Sequence, residues 1–225
     1  MSGKVAQASR WIHTPRKMPH DIVTKIGYVK RLELYKTVKP YCLNVPVFPD
    51  GKMLNIEYEY IPNMKITDIR GSESSFSLDG VGFQLVTCRT GMKYEDFESV
   101  DAIYNKYFPE AESFLRNHLN ASRVVVFEHQ IRRHREGMED NPVTAFHQPL
   151  TGAHCDQTPE GMDRRIRFHL PEESDYLLQR RRQIINIWRP LKGPVRDYPL
   201  AICDARSINE DDDMQKADLI FPHYE

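Results

Sequence analysis

The chain has 225 residues, with 31 basic side chains, 32 acidic side chains and a formal net charge of −1. That length can build one sizeable hydrophobic core, and the 40% hydrophobic and 28% charged residues are typical of a globular protein. A nucleic-acid-binding protein would show a surplus of basic residues, and a membrane protein would show a long apolar segment. The sequence has neither, so the composition argues against both kinds of partner.

The N-terminal residues and the cysteines bear on where the protein acts. Residues 1–22 are polar and basic and lack the apolar segment of a secretory signal, so we expect a flexible leader followed by one domain over residues 23–225. The four cysteines are widely spaced and form no CxxC pair, which favours reduced thiols over a zinc knuckle or a disulfide framework. Together these features predict a cytoplasmic protein.

Short β-prone runs separated by turn residues make up the first part of the domain. They extend from Val23 to Ile61, and Ile66–Arg70 follows as a further short strand. The pair Asp79-Gly80 suits a tight turn, so the flanking runs Phe76–Leu78 and Gly82–Val86 predict a hairpin.

Helical signals are limited to two later regions. One helix is predicted from Pro109, with apolar residues at helical spacing, to a stop at Asn120. The other is predicted over Pro171–Arg181, with acidic residues in its first turn and arginines in its last. The remaining β-prone runs predict strands at Arg123–Phe127, Ile184–Trp188 and Leu200–Cys203.

The order of these elements predicts a fold class. Many short strands with a few flanking helices indicate a mainly β, α+β fold of the antiparallel sandwich or jelly-roll type. A doubly wound α/β sheet fits less well, because strands and helices do not alternate regularly along the chain.

His154 and Asp156 are the candidate metal ligands. Two histidines and one carboxylate can hold iron(II) and leave positions open for a co-substrate and dioxygen. On an extended segment residues i and i+2 point the same way, so these two side chains can reach one ion. The small residue Gly152 is expected to leave room near the metal, and Cys155 is expected to point to the opposite face and be buried. A lone His-x-Asp triplet is more often a pair of surface residues, so the motif needs further support.

Other histidines offer alternatives for a further ligand. His223 is the only histidine beyond Ile184–Trp188, which makes it the candidate for a distal iron ligand by spacing. His169 lies just before the predicted second helix and is interpreted as a capping or surface residue, with a substrate contact as the alternative. A zinc hydrolase built on His154, Asp156 and another histidine is a further alternative, but no HExxH motif supports it.

Three segments in a fixed order are more specific than the triplet alone. They are ITDIRGSESSFSLDGVGFQLV at Ile66–Val86, the residues around His154-Cys155-Asp156-Gln157, and NIWRPL at Asn186–Leu191. This combination resembles the fungal hydroxylase/desaturase family, which includes gibberellin desaturase and is related to the cephamycin methoxylase partner proteins. The resemblance extends from about Lys25 to Glu225.

The resemblance carries expectations for fold, chemistry and site. It implies a double-stranded β-helix and an oxidoreductase of secondary metabolism that hydroxylates or desaturates a small natural product with Fe(2+) and 2-oxoglutarate. On the family's pattern His154 and Asp156 are the near metal ligands. Arg189 contacts an anionic co-substrate or substrate, with packing and a salt bridge as its alternative role.

The resemblance also implies that family members continue beyond the position of Glu225. That further part carries the distal histidine and the basic residue that holds the co-substrate, and His223 does not match the distal position. We therefore expect a jelly roll that lacks its last strands and one metal ligand. Two interpretations follow: an oxidoreductase that is active when its site is complete, or a degenerate relative that binds a pathway metabolite without catalysis.

Overall fold

The computed structural model describes residues 21–43, 51–137 and 147–220. Within these ranges the strands are β1 (Ile22–Val29), β2 (Tyr41–Leu43), β3 (Tyr58–Ile66) and β4 (Asp218–Ile220). The helices are α1 (Leu78–Val81), α2 (Val100–Ala102), a π-helical segment (Ile103–Tyr107), α3 (Phe108–Leu119), α4 (Pro159–His169), α5 (Ser174–Leu177) and α6 (Glu210–Asp213). Short 3-10 turns lie at Glu33–Lys36, Glu73–Ser75, Glu95–Glu98 and Ala205–Ser207.

The strands β1 and β3 form an antiparallel pair that carries much of the sheet structure. Both are rich in β-branched and aromatic residues, and they pair from Ile22 opposite Ile66 to Val29 opposite Tyr58. The register shifts between Thr24 and Ile26, where β3 contains one extra residue. Asn63, at a φ of 60°, occupies this bulge, which also accommodates the neighbouring proline.

The second sheet is small and parallel. Strand β2 pairs with β4, Tyr41 opposite Asp218 and Leu43 opposite Ile220, and Leu54 bridges to the other edge of β2 at Cys42. This pairing joins parts of the chain that lie far apart in sequence.

The prediction of a hairpin around Asp79-Gly80 is wrong, because a helix N-cap residue precedes that pair and a helix C-cap residue follows it. The Ser77 hydroxyl accepts a hydrogen bond from the Gly80 amide, as an N-cap does, and Gly82 adopts a left-handed φ of 84° just after the helix. The chain therefore forms the short helix α1 here instead of two strands.

The first predicted helix is confirmed, and the second is largely wrong. Helix α3 has a proline in its first turn and ends where Asn120 takes a left-handed φ of 49°. In the predicted range Pro171–Arg181 only α5 is helical, and the longer helix α4 lies in a region for which we predicted none. His169, expected just ahead of a helix, is instead the last residue of α4.

The expectation of a mainly β fold is met only in part. Within the described ranges, Arg123–Phe127, Ile184–Trp188 and Leu200–Cys203 are not hydrogen-bonded into any sheet, and helical residues outnumber strand residues. A β-prone segment becomes a strand only when a partner satisfies its backbone groups, and sequence propensity does not supply that partner.

The hydrophobic core lies beside the π-helical segment and connects the parts of the chain that carry the site. Met92, Phe97 and Ile103 are buried together, and Ile131 and Leu191 pack against them. The contact of Leu191 ties the NIWRPL segment to this core. No helix within the described residues is both long and apolar enough to cross a bilayer.

Candidate metal centre

The segment that carries the candidate ligands is hydrogen-bonded to the edge of β1 that does not pair with β3. Gly27 forms a parallel bridge with Gly152, in which the Gly27 amide donates to the Thr151 carbonyl at 3.3 Å and the Ala153 amide donates to the Gly27 carbonyl at 2.8 Å. Residues 151–153 are therefore joined to β1 by a single bridge, and the backbone is held directly before His154.

Two tyrosines of β3 pack against this bridge, and each ring lies over a glycine. The Tyr60 hydroxyl is 3.1 Å from the Thr151 hydroxyl, and a Cβ on Gly27 would lie 3.1 Å from the Tyr60 ring. A Cβ on Gly152 would lie 2.5 Å from Cε1 of Tyr58. We predicted that the small Gly152 would leave room near the metal, but the ring of Tyr58 fills that space.

The structure brings His154 and Asp156 together. Nε2 of His154 lies 3.4 Å from Oδ1 of Asp156, and about half of each side chain is exposed to solvent. Nδ1 of His154 is 2.9 Å from the Gly152 carbonyl oxygen. A carbonyl oxygen only accepts hydrogen bonds, so Nδ1 carries a proton and Nε2 is the ring nitrogen that faces the carboxylate. A proton on Nε2 donates to Oδ1 of Asp156, and a metal ion would take the place of that proton.

Asn186 holds the carboxylate from the other side. Its side-chain amide donates to Oδ2 of Asp156 at 2.5 Å, which leaves Oδ1 facing the imidazole. The hydrogen bond between His154 and Asp156 lowers the pKa of Asp156, with a contribution from Asn186, and raises the pKa of His154. The carboxylate is therefore ionised at neutral pH, the form in which it can bind a cation.

The donor set fits iron(II) at two of its positions. Nε2 of His154 and Oδ1 of Asp156 converge from one segment, and a nitrogen and an oxygen so placed can serve as two ligands of a two-histidine, one-carboxylate site. The outer hydrogen bonds orient both side chains. Within residues 21–43, 51–137 and 147–220, no group of three His, Cys, Asp or Glu side chains could hold a metal. His223, the candidate by spacing, lies outside these residues.

Cys155, between the two ligands, does not behave as predicted. We expected a buried side chain, but Cys155 is exposed.

The guanidinium of Arg189 faces the helical core. It donates to the Tyr107 hydroxyl at 3.2 Å and to the Cys88 carbonyl at 2.9 Å, and it lies over the Tyr107 ring. These contacts fit the alternative packing role given above, and a contact with an anionic co-substrate stays a prediction.

Sequence reasoning missed the residues that position the ligands. Asn186 lies in the NIWRPL segment, but neither its residue type nor its spacing indicates that its partner is Asp156, 30 positions earlier. Tyr58, Tyr60 and Gly27 act through strand pairing, which becomes visible only when the register is known. An alternation of tyrosines in β3 was the one available signal, since residues two apart share a face.

Comparison with known proteins identifies the family. Residues 26–225 match the family model described as "YDMC: Oxidoreductase/YMDC permease-like domain". The chain belongs to this family, and its curated relatives include fungal hydroxylase/desaturases, as the three sequence segments predicted.

Three curated relatives show how far the similarity reaches. Hydroxylase/desaturase efuI of Hormonema carpetanum is 35% identical over 70% of this chain and 55% of its own length. Hydroxylase/desaturase CTB9 of Cercospora beticola is 33% identical over 66% of this chain and 48% of its own length. Hydroxylase/desaturase poxK of Penicillium oxalicum is 29% identical over 92% of this chain and 63% of its own length. The chain thus spans between about half and two thirds of the length of these relatives.

Comparison with solved structures shows which fold the chain resembles. A single-residue variant of the iron and alpha-ketoglutarate-dependent endoperoxidase NvfI superposes with a TM-score of 0.59 at 20% identity, covering 71% of this chain and 55% of that one. A second structure of the endoperoxidase, in a different conformation, gives a TM-score of 0.58. The described part of this chain therefore shares the fold of an iron- and 2-oxoglutarate-dependent oxygenase over part of that enzyme.

Proposed function

We propose that this chain carries the near metal ligands of an iron(II)- and 2-oxoglutarate-dependent hydroxylase or desaturase that acts on a small natural product. The convergence of His154 Nε2 and Asp156 Oδ1, each oriented by a separate hydrogen bond, is the observation that carries the proposal. The names of the relatives support the reaction class, since they include hydroxylase/desaturases and alpha-ketoglutarate-dependent dioxygenases.

Each residue of the site has a defined part in this function. His154 and Asp156 would hold iron(II), which with 2-oxoglutarate and dioxygen supplies the oxidation of a C–H bond. The Gly152 carbonyl keeps the proton of His154 on Nδ1, and Asn186 keeps the carboxylate turned towards the imidazole. The strand pairing at Gly27 holds the backbone of this segment, so that the two ligands are in place before the metal binds.

We propose that the single domain over residues 23–225 is part of a double-stranded β-helix. The β1–β3 pair, with residues 151–153 bridged to β1, would form part of one of its sheets. We also propose that the protein acts in the cytoplasm, in keeping with the free thiols of its cysteines. Fractionation of cells that express the tagged protein tests this location, and recovery in a secreted fraction would contradict it.

Release of succinate from 2-oxoglutarate tests the reaction class directly. The chain is incubated with iron(II), ascorbate, 2-oxoglutarate and dioxygen, and succinate is measured by mass spectrometry. We expect release above that of the His154→Ala variant, which removes one ligand and leaves the fold of the helices intact. Equal succinate from both proteins would contradict the proposal.

A non-catalytic metabolite-binding protein is the second candidate, and one observation favours it. Only two metal ligands converge among the described residues, and two side chains bind a divalent ion more weakly than three. This candidate predicts that 2-oxoglutarate or a small apolar metabolite binds to the chain without any release of succinate. Isothermal titration of 2-oxoglutarate into the metal-loaded protein, beside the succinate assay, separates the two functions.

A further inference from the structure

Side chains at both ends of the segment Asn186–Arg189 contact other parts of the protein. Asn186 donates to Asp156 at the metal centre. Arg189 donates to the Tyr107 hydroxyl and the Cys88 carbonyl on the helical core, and Leu191 packs against that core. The segment thus links the candidate metal centre to the part of the chain that is best packed.

Exposure alternates along this segment with the period of an extended chain. Asn186, Trp188 and Pro190 are exposed, whereas Ile187 and Arg189 are half-buried. Residues two apart on an extended chain point to the same side, so Trp188 shares the face on which Asn186 meets Asp156. Two extended residues span about 7 Å, so Trp188 is about that far along the segment from Asn186, which itself contacts Asp156.

An indole in this position is costly to leave in water. Trp188 is 51% exposed, although its large apolar surface favours burial against another apolar group. Its ring nitrogen is a hydrogen-bond donor, so the side chain combines a flat apolar face with one polar contact.

We infer that Trp188 is a substrate-contact residue, whose indole forms an aromatic wall beside His154 and Asp156 for a flat, ring-containing apolar substrate. The inference rests on the proposed function and deepens it by naming the substrate class. The substrate's ring stacks on the indole, and a carbonyl or hydroxyl oxygen accepts from the indole nitrogen. Arg189, bound on the opposite face, keeps Trp188 turned towards the metal.

The position of Trp188 is tested with cobalt(II) as a quenching probe. The chain has two tryptophans, so in Trp11→Phe the tryptophan fluorescence comes from Trp188 alone. We expect cobalt(II) to quench the emission of Trp11→Phe in a saturable way, and His154→Ala in the same background to abolish that quenching. Trp188→Phe, which retains only Trp11, measures quenching that is unrelated to the site.

Calorimetry on the same samples separates the inference from the function on which it rests. If cobalt(II) binds in a His154-dependent way but Trp188 emission does not change, Trp188 is not at the metal centre and the inference is overturned, while the metal site stands. If no cobalt(II) binds, the proposed metal site fails and the inference falls with it.

The substrate class is tested with 2-naphthol, a flat bicyclic phenol, by equilibrium dialysis. We expect Trp188→Ala to weaken 2-naphthol binding about three- to tenfold, the range of an aromatic stacking contact, with cobalt(II) affinity unchanged. Trp188→Phe is expected to keep most of the affinity, and Tyr176→Ala, which removes an exposed aromatic ring of α5, serves as the matched control. Equal affinity of wild type and Trp188→Ala, or no binding to wild type, would overturn the assignment.

Discussion

At the scale of single residues, Asp156 is held from two sides, by the imidazole of His154 and by the amide of Asn186. An ion placed between His154 and Asp156 would meet both ligands without a rearrangement of the backbone. The outer hydrogen bond from Asn186 is therefore expected to matter as much for metal affinity as for local stability.

Removal of that outer hydrogen bond gives the first prediction. Asn186→Ala leaves Oδ2 of Asp156 without its donor, so the carboxylate can rotate away from the imidazole. We expect cobalt(II) affinity, measured by calorimetry, to fall about 10-fold or more. Asn117→Ala, at an exposed position of α3, is the control and should bind cobalt(II) as the wild type does. An unchanged affinity in Asn186→Ala would show that Asn186 does not orient the ligand.

The contact between Gly152 and Tyr58 gives the second prediction. A Cβ at position 152 would lie 2.5 Å from the Tyr58 ring, so Gly152→Ala forces the ring or the ligand-bearing strand to move. We expect the free energy of unfolding in urea to fall by about 1–3 kcal/mol. In the Tyr58→Ala background the same change meets no ring, and its cost should be much smaller. Strictly additive costs in this double-mutant cycle would contradict the predicted collision.

At the scale of elements, the sequence predicted those helices and motifs that are determined by neighbouring residues. Helix α3 could be placed because a proline, an apolar stripe and a stop at Asn120 all lie within one short stretch. The pairing of β1 with β3, and of Gly27 with Gly152, could not be placed, because hydrogen bonds between distant segments depend on register. His154 and Asp156 were predicted from a local triplet supported by the resemblance of three segments, whereas Asn186 is brought to them by the tertiary fold.

Helix α4 was missed although it begins with a clear signal. Thr158 accepts a hydrogen bond from the Gly161 amide at 3.0 Å, and Pro159 occupies the first turn. The polar composition of the helix hid its apolar stripe. Because Thr158 follows Asp156 by two positions, the start of α4 also fixes the end of the ligand-bearing segment.

The N-cap of α4 gives the third prediction. Thr158→Ala removes the acceptor for the Gly161 amide and should lower the free energy of unfolding by about 1 kcal/mol. Thr158→Ser keeps a hydroxyl in the same place and is expected to retain most of the stability. Urea unfolding followed by circular dichroism measures both variants, and an equal loss in the two would assign the effect to the lost methyl group instead of the cap.

His169, at the end of α4, gives the fourth prediction, on pH. Burial against the Phe127 ring lowers the pKa of His169 below its usual value of 6.5, and Arg165 lowers it further, against an opposing effect of Glu128. Below pH 6.5 the unfolded chain takes up this proton more readily than the folded chain does, so stability falls as the pH drops through this value.

We expect the stability of the wild type to depend more strongly on pH than that of a variant without His169. From about pH 7.5 to about pH 5.5 the wild type should lose more free energy of unfolding than His169→Gln, which carries no titrating group at this position. The comparison isolates His169 from the other groups that titrate in the same range. A parallel loss in both proteins would show that His169 stays free to take up a proton in the folded state.

At the scale of the whole molecule, the buried apolar core is small for the length of chain. The described residues bury five core hydrophobic side chains and Pro40 almost completely, whereas many large apolar side chains are exposed, among them Val125, Leu150, Phe168, Leu200 and Ile202. Several of these lie in β-prone segments that are not paired in any sheet within the described ranges. Such surfaces favour association with another chain, because unpaired backbone groups and apolar side chains both gain from a partner.

Self-association of the chain is the fifth prediction. Val125 lies in the unpaired run Arg123–Phe127 and is 39% exposed. A lysine there places a charge on the surface that would pair. In sedimentation velocity we expect the wild type to shift to larger species as its concentration rises, and Val125→Lys to shift less. Gln179→Lys adds the same charge at an exposed polar position and should behave as the wild type.

Two outcomes would contradict this prediction. If both lysine variants suppress association equally, net charge is responsible and Arg123–Phe127 is not the contact. If the wild type stays monomeric at every concentration, the exposed segments do not pair at all.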